Sequence, residues 1–198
     1  TGPETWKAYA ALHRHVYEEL KKDHKGLPIF ASFTLHGMLN EKGRKRDDML
    51  AAFEQVMPYN DLVAVSFYPF IRGGTTDIEG CFRWLTDSFD KFKKPYAFVE
   101  TGEAAANLRF PKSGQVIEGT PEKQEAYYKA LLAFAEEHKA RFVISFIHRD
   151  YDALWERIKA SAPEAFMAWR NCGFLDAGGK PRPAYQVWKH SFAMPLSK

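Results

Sequence analysis

The chain has 198 residues, of which 45 % are apolar and 27 % charged, with 28 basic and 25 acidic side chains for a net charge of +3. These proportions exclude a disordered or collagen-like chain, and they give no electrostatic case for nucleic acid or an anionic membrane as a partner. The longest apolar runs, 62–65 and 142–144, are too short to span a bilayer, and two cysteines, Cys81 and Cys172, do not make a disulfide framework. Aromatic residues reach 15 %, enough to line either a large core or a sugar site.

The first segment, 1–26, reads as a leading helix. Thr1 and Glu4 have capping-box spacing, and Trp6, Tyr9, His13, Val16 and Leu20 recur at three- and four-residue intervals as its inner face. An apolar run of strand length follows at 27–35, then a charged loop at 40–46. Leu50, Phe53 and Met57 mark a short helix, and 62–68 is a second strand closed by Pro69. Thr76 and Glu79 repeat the capping-box pattern ahead of a helix face of Ile78, Phe82, Leu85, Phe89 and Phe92. A third strand at 95–100 leads into a long loop, 101–119. Thr120-Pro121-Glu122 opens a helix with Tyr127, Leu131, Phe134 and His138 inside, and 142–147 is the fourth strand. The closing segment, 151–198, holds short helices around Trp155 and at 165–169, a turn at 178–183 and a last helix from Ala184.

Strands and helices thus alternate strictly, and the strands are apolar on both faces. That pattern predicts a parallel sheet flanked by helices in one α/β domain. Four units of this length in 198 residues fit either a small open sheet or half of an eight-stranded barrel. The leading helix, with no strand before it, favours the half-barrel, α(βα)4. The chain opens on Thr1-Gly2-Pro3 rather than on methionine, so the expectation is a processed or truncated chain; localisation stays open, secretion included.

In parallel α/β folds ligands bind beyond the carboxyl ends of the strands. The residues found there are His36, Tyr68, Glu100 with Glu103, and His148 with Asp150. Glu100 stands out because it closes the apolar run 96–99, where a carboxylate is costly unless paired or functional. It reads as a nucleophile or general base, or as a loop carboxylate held by backbone or a cation. Asp150 reads as a site carboxylate or as a cap for the helix after it. His36 and His148 read as donors to sugar hydroxyls or as histidines bonded to backbone. HExxH, paired CxxC and GxGxxG are all absent from the sequence, and His13 and His15 face different ways on a helix; no metal or cofactor is expected. The basic cluster at 42–46 has no accompanying basic helix and reads as a solvated loop.

The runs Val65-Ser66-Phe67-Tyr68-Pro69-Phe70 and Lys94-Pro95-Tyr96-Ala97-Phe98-Val99-Glu100-Thr101-Gly102 resemble strands six and seven of clan A retaining glycoside hydrolases, with a galactanase-like flavour. The tail Cys172-Gly173-Phe174-Leu175-Asp176, Gly179-Lys180-Pro181-Arg182-Pro183-Ala184-Tyr185 and Trp188 is similar to the closing segment of such TIM barrels. The resemblance covers about residues 27 to 190 and implies that the four strands are strands five to eight. It implies Glu100 as nucleophile and Tyr68 as the hydroxyl that bonds it, acting on a β-linked oligo- or polysaccharide. It also implies a departure: the acid/base strand of the family lies ahead of Thr1, and His148 stands where members often carry a Trp, leaving Trp155 as a residue that folds back over the site. Self-association into a dimer is the expected route for covering the open barrel face. The alternatives are a catalytically incomplete carbohydrate-binding fragment and an unrelated four-stranded α/β domain.

Overall fold

The computed structural model describes residues 3–71 and 75–193. The Thr1 cap expected from the sequence lies outside them. A single four-stranded parallel sheet forms the centre, in the order β1 (Ser32–Thr34), β2 (Val63–Phe67), β3 (Tyr96–Thr101), β6 (Val143–Ser145). The helices are α1 (Pro3–Asp23), α2 (Leu35–Leu39), α3 (Arg44–Val56), α4 (Ile78–Phe89), α5 (Pro121–Glu137), α6 (Asp152–Ile158) and α7 (Pro183–Ala193). This is an α/β fold of the kind that makes part of a (β/α)8 barrel, with strand order following chain order. Among the described residues no helix is long and apolar enough to cross a membrane.

The two faces of the sheet differ in size. Phe33, Val63, Val65, Phe67, Tyr96 and Phe98 point outward into the main core, where they meet Phe53 of α3, Phe82, Leu85 and Phe89 of α4, and Tyr127, Leu131 and Phe134 of α5. The opposite face carries Leu62, Ala64 and Ala97, with Phe30, Val99 and Phe142 beside them. Alternation along each strand sorts large side chains to the helices and small ones to the concave side. The outer edges of β1 and β6 have no pairing strand among the described residues, and Ile144 is 53 % exposed.

A second apolar cluster sits over the carboxyl ends of β2 and β3. Tyr68 and Phe70 meet Ala104, Leu108, Phe110 and Ile117 from the loop after β3, and Trp155, Met167 and Cys172 from the segment after β6. The long loop 101–119 is not structureless, as the sequence suggests, but folds into the hairpin β4 (Leu108–Arg109) and β5 (Val116–Ile117).

Other local expectations shift by small amounts. The first strand is shorter than 27–35, because Leu35 already begins α2. The α4 cap is Asp77 rather than Thr76, its side chain accepting from the Gly80 N–H at 2.8 Å. Thr120 caps α5 as its spacing predicts, accepting from the Lys123 N–H at 3.1 Å. The α1 face is rotated from the expected one. Trp6 and His13 pack inward, but Tyr9, Val16 and Leu20 are exposed, as is Leu12. The cause is polar: His13 Nε2 donates to Asn60 Oδ1 at 2.7 Å, the Tyr17 hydroxyl to Asp61 Oδ1 at 3.0 Å, and Lys21 pairs with Asp61 at 2.7 Å. The helix turns the side with these partners toward the sheet and leaves its second apolar stripe outside.

Asn60 fastens α1 to the strands. Its Oδ1 accepts from Ala31 N–H at 2.9 Å, and its Nδ2 donates to Ala31 C=O at 3.0 Å, all buried. Asn60→Ala leaves both backbone groups of Ala31 unpaired. The expected loss is about 3 kcal/mol of stability, read as a lower denaturant midpoint with an unchanged m-value.

Candidate functional site

Glu100 reaches the concave face through an irregularity in the sheet. Phe98 points outward, so strict alternation would turn Val99 inward and Glu100 outward. The register instead shifts: Val65 pairs with Phe98, but Ser66 pairs with Glu100. Val99 is thereby an extra residue, as in a β-bulge, and Glu100 joins it on the concave side. The Ser66 hydroxyl donates to Glu100 Oε2 at 3.4 Å. Thr101 returns to the helix side, where it is fully buried, donates to Phe67 C=O at 2.7 Å and bonds the Tyr127 hydroxyl. These two bonds fix the backbone just after Glu100.

Tyr68 stands beside it. The residue is 2 % exposed, and its buried hydroxyl faces the Glu100 carboxylate, outside strict hydrogen-bond geometry. Burial, and then the neighbouring Glu100 carboxylate, push the phenol far above its ordinary pKa, so it stays protonated and remains a donor. Its backbone N–H donates to His36 Nδ1 at 3.2 Å, and the two rings meet edge to face at 6.1 Å. His36 therefore positions Tyr68. Gly102 leaves room for the ring: a Cβ there would stand 3.2 Å from Tyr68 Cε1 and 2.4 Å from the Phe146 carbonyl oxygen. Glu100, Ser66, Tyr68 and His36 thus form one group at the carboxyl ends of β2 and β3.

The remaining expected residues lie elsewhere. Asp150 is 4 % exposed at its side chain and holds Arg182 through two bonds, 2.9 Å and 2.6 Å, while also accepting from Gly173 N–H at 2.8 Å. Its lone pairs are taken by the closing segment. It is not the cap of α6 either: Tyr151 holds that position, without a side-chain bond. His148 is exposed, with its ring toward Tyr185 of α7 at 6.3 Å. Trp155 is buried in the second cluster as a packing residue. Glu103 is 1 % exposed and turned toward the helices, where it accepts from the Ala104 N–H at 3.0 Å and faces Lys123 at 3.8 Å. It lines a cavity of about 440 Å³ with Thr75, Asp77, Lys123 and Tyr127, and Glu100 is not among that cavity's lining residues.

Sequence reasoning missed Ser66 as a Glu100 partner, Arg182 as the partner of Asp150, and Trp169, which packs edge-on against Tyr68 at 5.7 Å. Alternation from Leu62 and Ala64 could have placed Ser66. Nothing local could have paired residues as far apart as Asp150 and Arg182.

No protein-family model matches the chain, and no curated protein sequence does. Solved structures do match its fold. A β-glucuronidase from Lactobacillus rhamnosus aligns over 94 % of this chain at TM-score 0.59 and 17 % identity, and one from Ruminococcus gnavus over 89 % at 0.54 and 18 %. A glycoside hydrolase family 17 β-1,3-glucanosyltransferase from Rhizomucor miehei aligns over 93 % at 0.53 and 16 %. The chain spans 30 %, 28 % and 57 % of those chains, respectively. The fold is therefore similar to part of the barrels of two β-glucuronidases and a glycoside hydrolase family 17 glucanosyltransferase.

Glu103 gives the region a pH signature. Burial outweighs the Lys123 ammonium and the Ala104 N–H, and pushes the carboxyl from 4.5 up to about 7. The folded state then holds a proton that the unfolded state releases, so stability is full below pH about 4.5 and falls as pH rises to about 7. The difference amounts to about 3 kcal/mol. Glu103→Gln should remove this slope and be more stable than the parent at pH 7.5; denaturation curves at pH 5 and 7.5 test it, and an unchanged slope contradicts the assignment.

Proposed function

We propose that this chain is the strand-five-to-eight half of a retaining β-glycosidase barrel, with Glu100 as its nucleophile and Tyr68 as the donor beside it. The observation that carries the reading is the bulge that turns Glu100 onto the concave face next to Ser66 and a buried, protonated Tyr68. Glu100 attacks the anomeric carbon; a carbon–oxygen bond forms to the carboxylate as the glycosidic bond breaks, and the electron pair leaves with the aglycone oxygen. Water then displaces the carboxylate and returns the enzyme.

Such chemistry needs a second carboxyl group about 5–5.5 Å from the first to protonate the leaving oxygen. Among the described residues, Asp150 is held by Arg182 and Glu103 faces the helices. The acid therefore comes from outside this group, and self-association of two chains is the route by which the chain alone would cover its concave face. The exposed stripe of Tyr9, Leu12, Val16 and Leu20 on α1, and Ile144 on β6, support an additional packing layer. His36 acts through Tyr68. That no second free carboxylate stands beside Glu100 among the described residues favours one rival reading, a fragment that binds a β-linked carbohydrate without cleaving it.

Dinitrophenyl β-glycosides separate the two, because their leaving group departs without an acid. The chain should hydrolyse at least one of the β-galactoside and β-glucoside forms, and Glu100→Gln should lower the rate at least about 100-fold. The rate per chain should fall on dilution, in step with the mass seen by light scattering. Equal rates in parent and variant would remove Glu100 from the mechanism, and a rate per chain independent of dilution would remove self-association.

A further inference from the structure

We propose that the cavity between α4 and α5 binds a short aliphatic diamine, with one ammonium on Glu103 at its floor and the other at its rim, beside Asp77 and Glu79. The site is separate from Glu100 and does not depend on the glycosidase reading.

The cavity holds about 440 Å³, within the range of about 300–1,000 Å³ typical of small-molecule sites. It runs from water inward. Asp77, Glu79 and Ala126 at the mouth are exposed, while Glu103 and Tyr127 at the floor are each 1 % exposed.

Glu103 is short of partners. Its Oε1 accepts from the Ala104 N–H at 3.0 Å and faces Lys123 at 3.8 Å; its Oε2 makes no hydrogen bond among the described residues. The Lys123 ammonium is itself drawn off by the Glu118 C=O, to which it donates at 3.0 Å. A carboxylate this deep is costly without a close counter-charge. The same deficit lifts its pKa to about 7.

Charge and shape select the ligand. Asp77, Glu79 and Glu103 set three carboxylates against one lysine. Asp77 spends one oxygen on the Gly80 N–H, and Arg83 stands 3.9 Å from Asp77 and 4.0 Å from Glu79, where exposed pairs contribute little. Among the described residues no three acidic, histidine or cysteine side chains converge to hold a metal ion, so the charge suits an extended cation. Ile78, Ala126 and Ala130 supply apolar wall for an alkyl chain between the two ends. The other titratable groups around Glu103 are Tyr127 and Tyr128 on α5 and Cys172 of the closing segment. Burial pushes both phenols and the thiol up, so they stay neutral, and Glu103 is the group whose charge changes near pH 7.

The test adds 1,4-diaminobutane to the whole chain and measures binding by calorimetry at pH 5 and pH 8. Its amines, like that of lysine with a pKa of about 10.4, stay charged at both. Glu103 is about 1 % ionised at pH 5 and about 90 % at pH 8, so affinity should rise at least about tenfold between them. At pH 6 each diamine bound should release about one proton, seen as a heat that follows the ionisation heat of the buffer. Glu103→Gln, expected above to be the more stable chain at pH 7.5, should bind at least about tenfold more weakly at pH 8 and lose the pH dependence. Butane-1,4-diol, the uncharged analogue, should not bind. No binding of the diamine at pH 8, equal affinity at the two pH values, or equal binding of the diol overturns the proposal on the parent chain alone. Unchanged affinity in a folded Glu103→Gln overturns it as well. None of these results bears on Glu100, whose hydrolysis is measured separately.

Discussion

A parallel sheet is stable when both of its faces are covered, and the helices of this chain cover one. The rest of the structure follows from that constraint. Large aromatic side chains are sorted to the helix side, where Phe67, Phe82, Phe98 and Phe134 interlock. The concave side is left to Ala64, Ala97 and Leu62, against which Phe30, Val99 and Phe142 pack. A polar group can stand on that face at the strand ends, and Glu100 does so with Ser66 beside it.

Three carboxylates near the carboxyl ends of the strands show how environment divides their roles. Asp150 is buried against Arg182 and a backbone N–H, and removing either partner of such a pair would strand a buried charge. It locks the closing segment 172–182 onto the end of β6. Glu103 is buried beside a single ammonium at 3.8 Å, too distant to offset desolvation, and it sits near half-protonation at neutral pH. Glu100 alone faces the concave side, with hydroxyl neighbours in place of cations. A group meant to attack carbon cannot be tied down by an arginine, so its partners here, Ser66 and Tyr68, are neutral.

Much of this was legible in the sequence because it rests on local pattern. Alternating apolar runs and helical periods predicted four parallel strands in chain order, and a carboxylate at the close of the run 96–99 singled out Glu100. The parts that were not legible depend on long-range partners. Asp150 is paired by an arginine 32 positions later. The side of the sheet that Glu100 takes is set by one extra residue, Val99, in a register no single strand reveals. Helix α1 carries apolar residues on two sides, so periodicity announced a helix but not its inner face; His13, Tyr17 and Lys21 chose it through Asn60 and Asp61.

The central claim is that Glu100 forms a bond to the anomeric carbon. Its most direct measurement is mass spectrometry of the chain after incubation with dinitrophenyl 2-deoxy-2-fluoro-β-glycosides, whose fluorine slows release of the glycosyl group while the leaving group still departs. The account predicts one added fluoroglycosyl group, located by peptide mapping on Glu100 and missing from Glu100→Gln. A chain that gains no mass, or carries the label on Glu103 or Asp150, would contradict it.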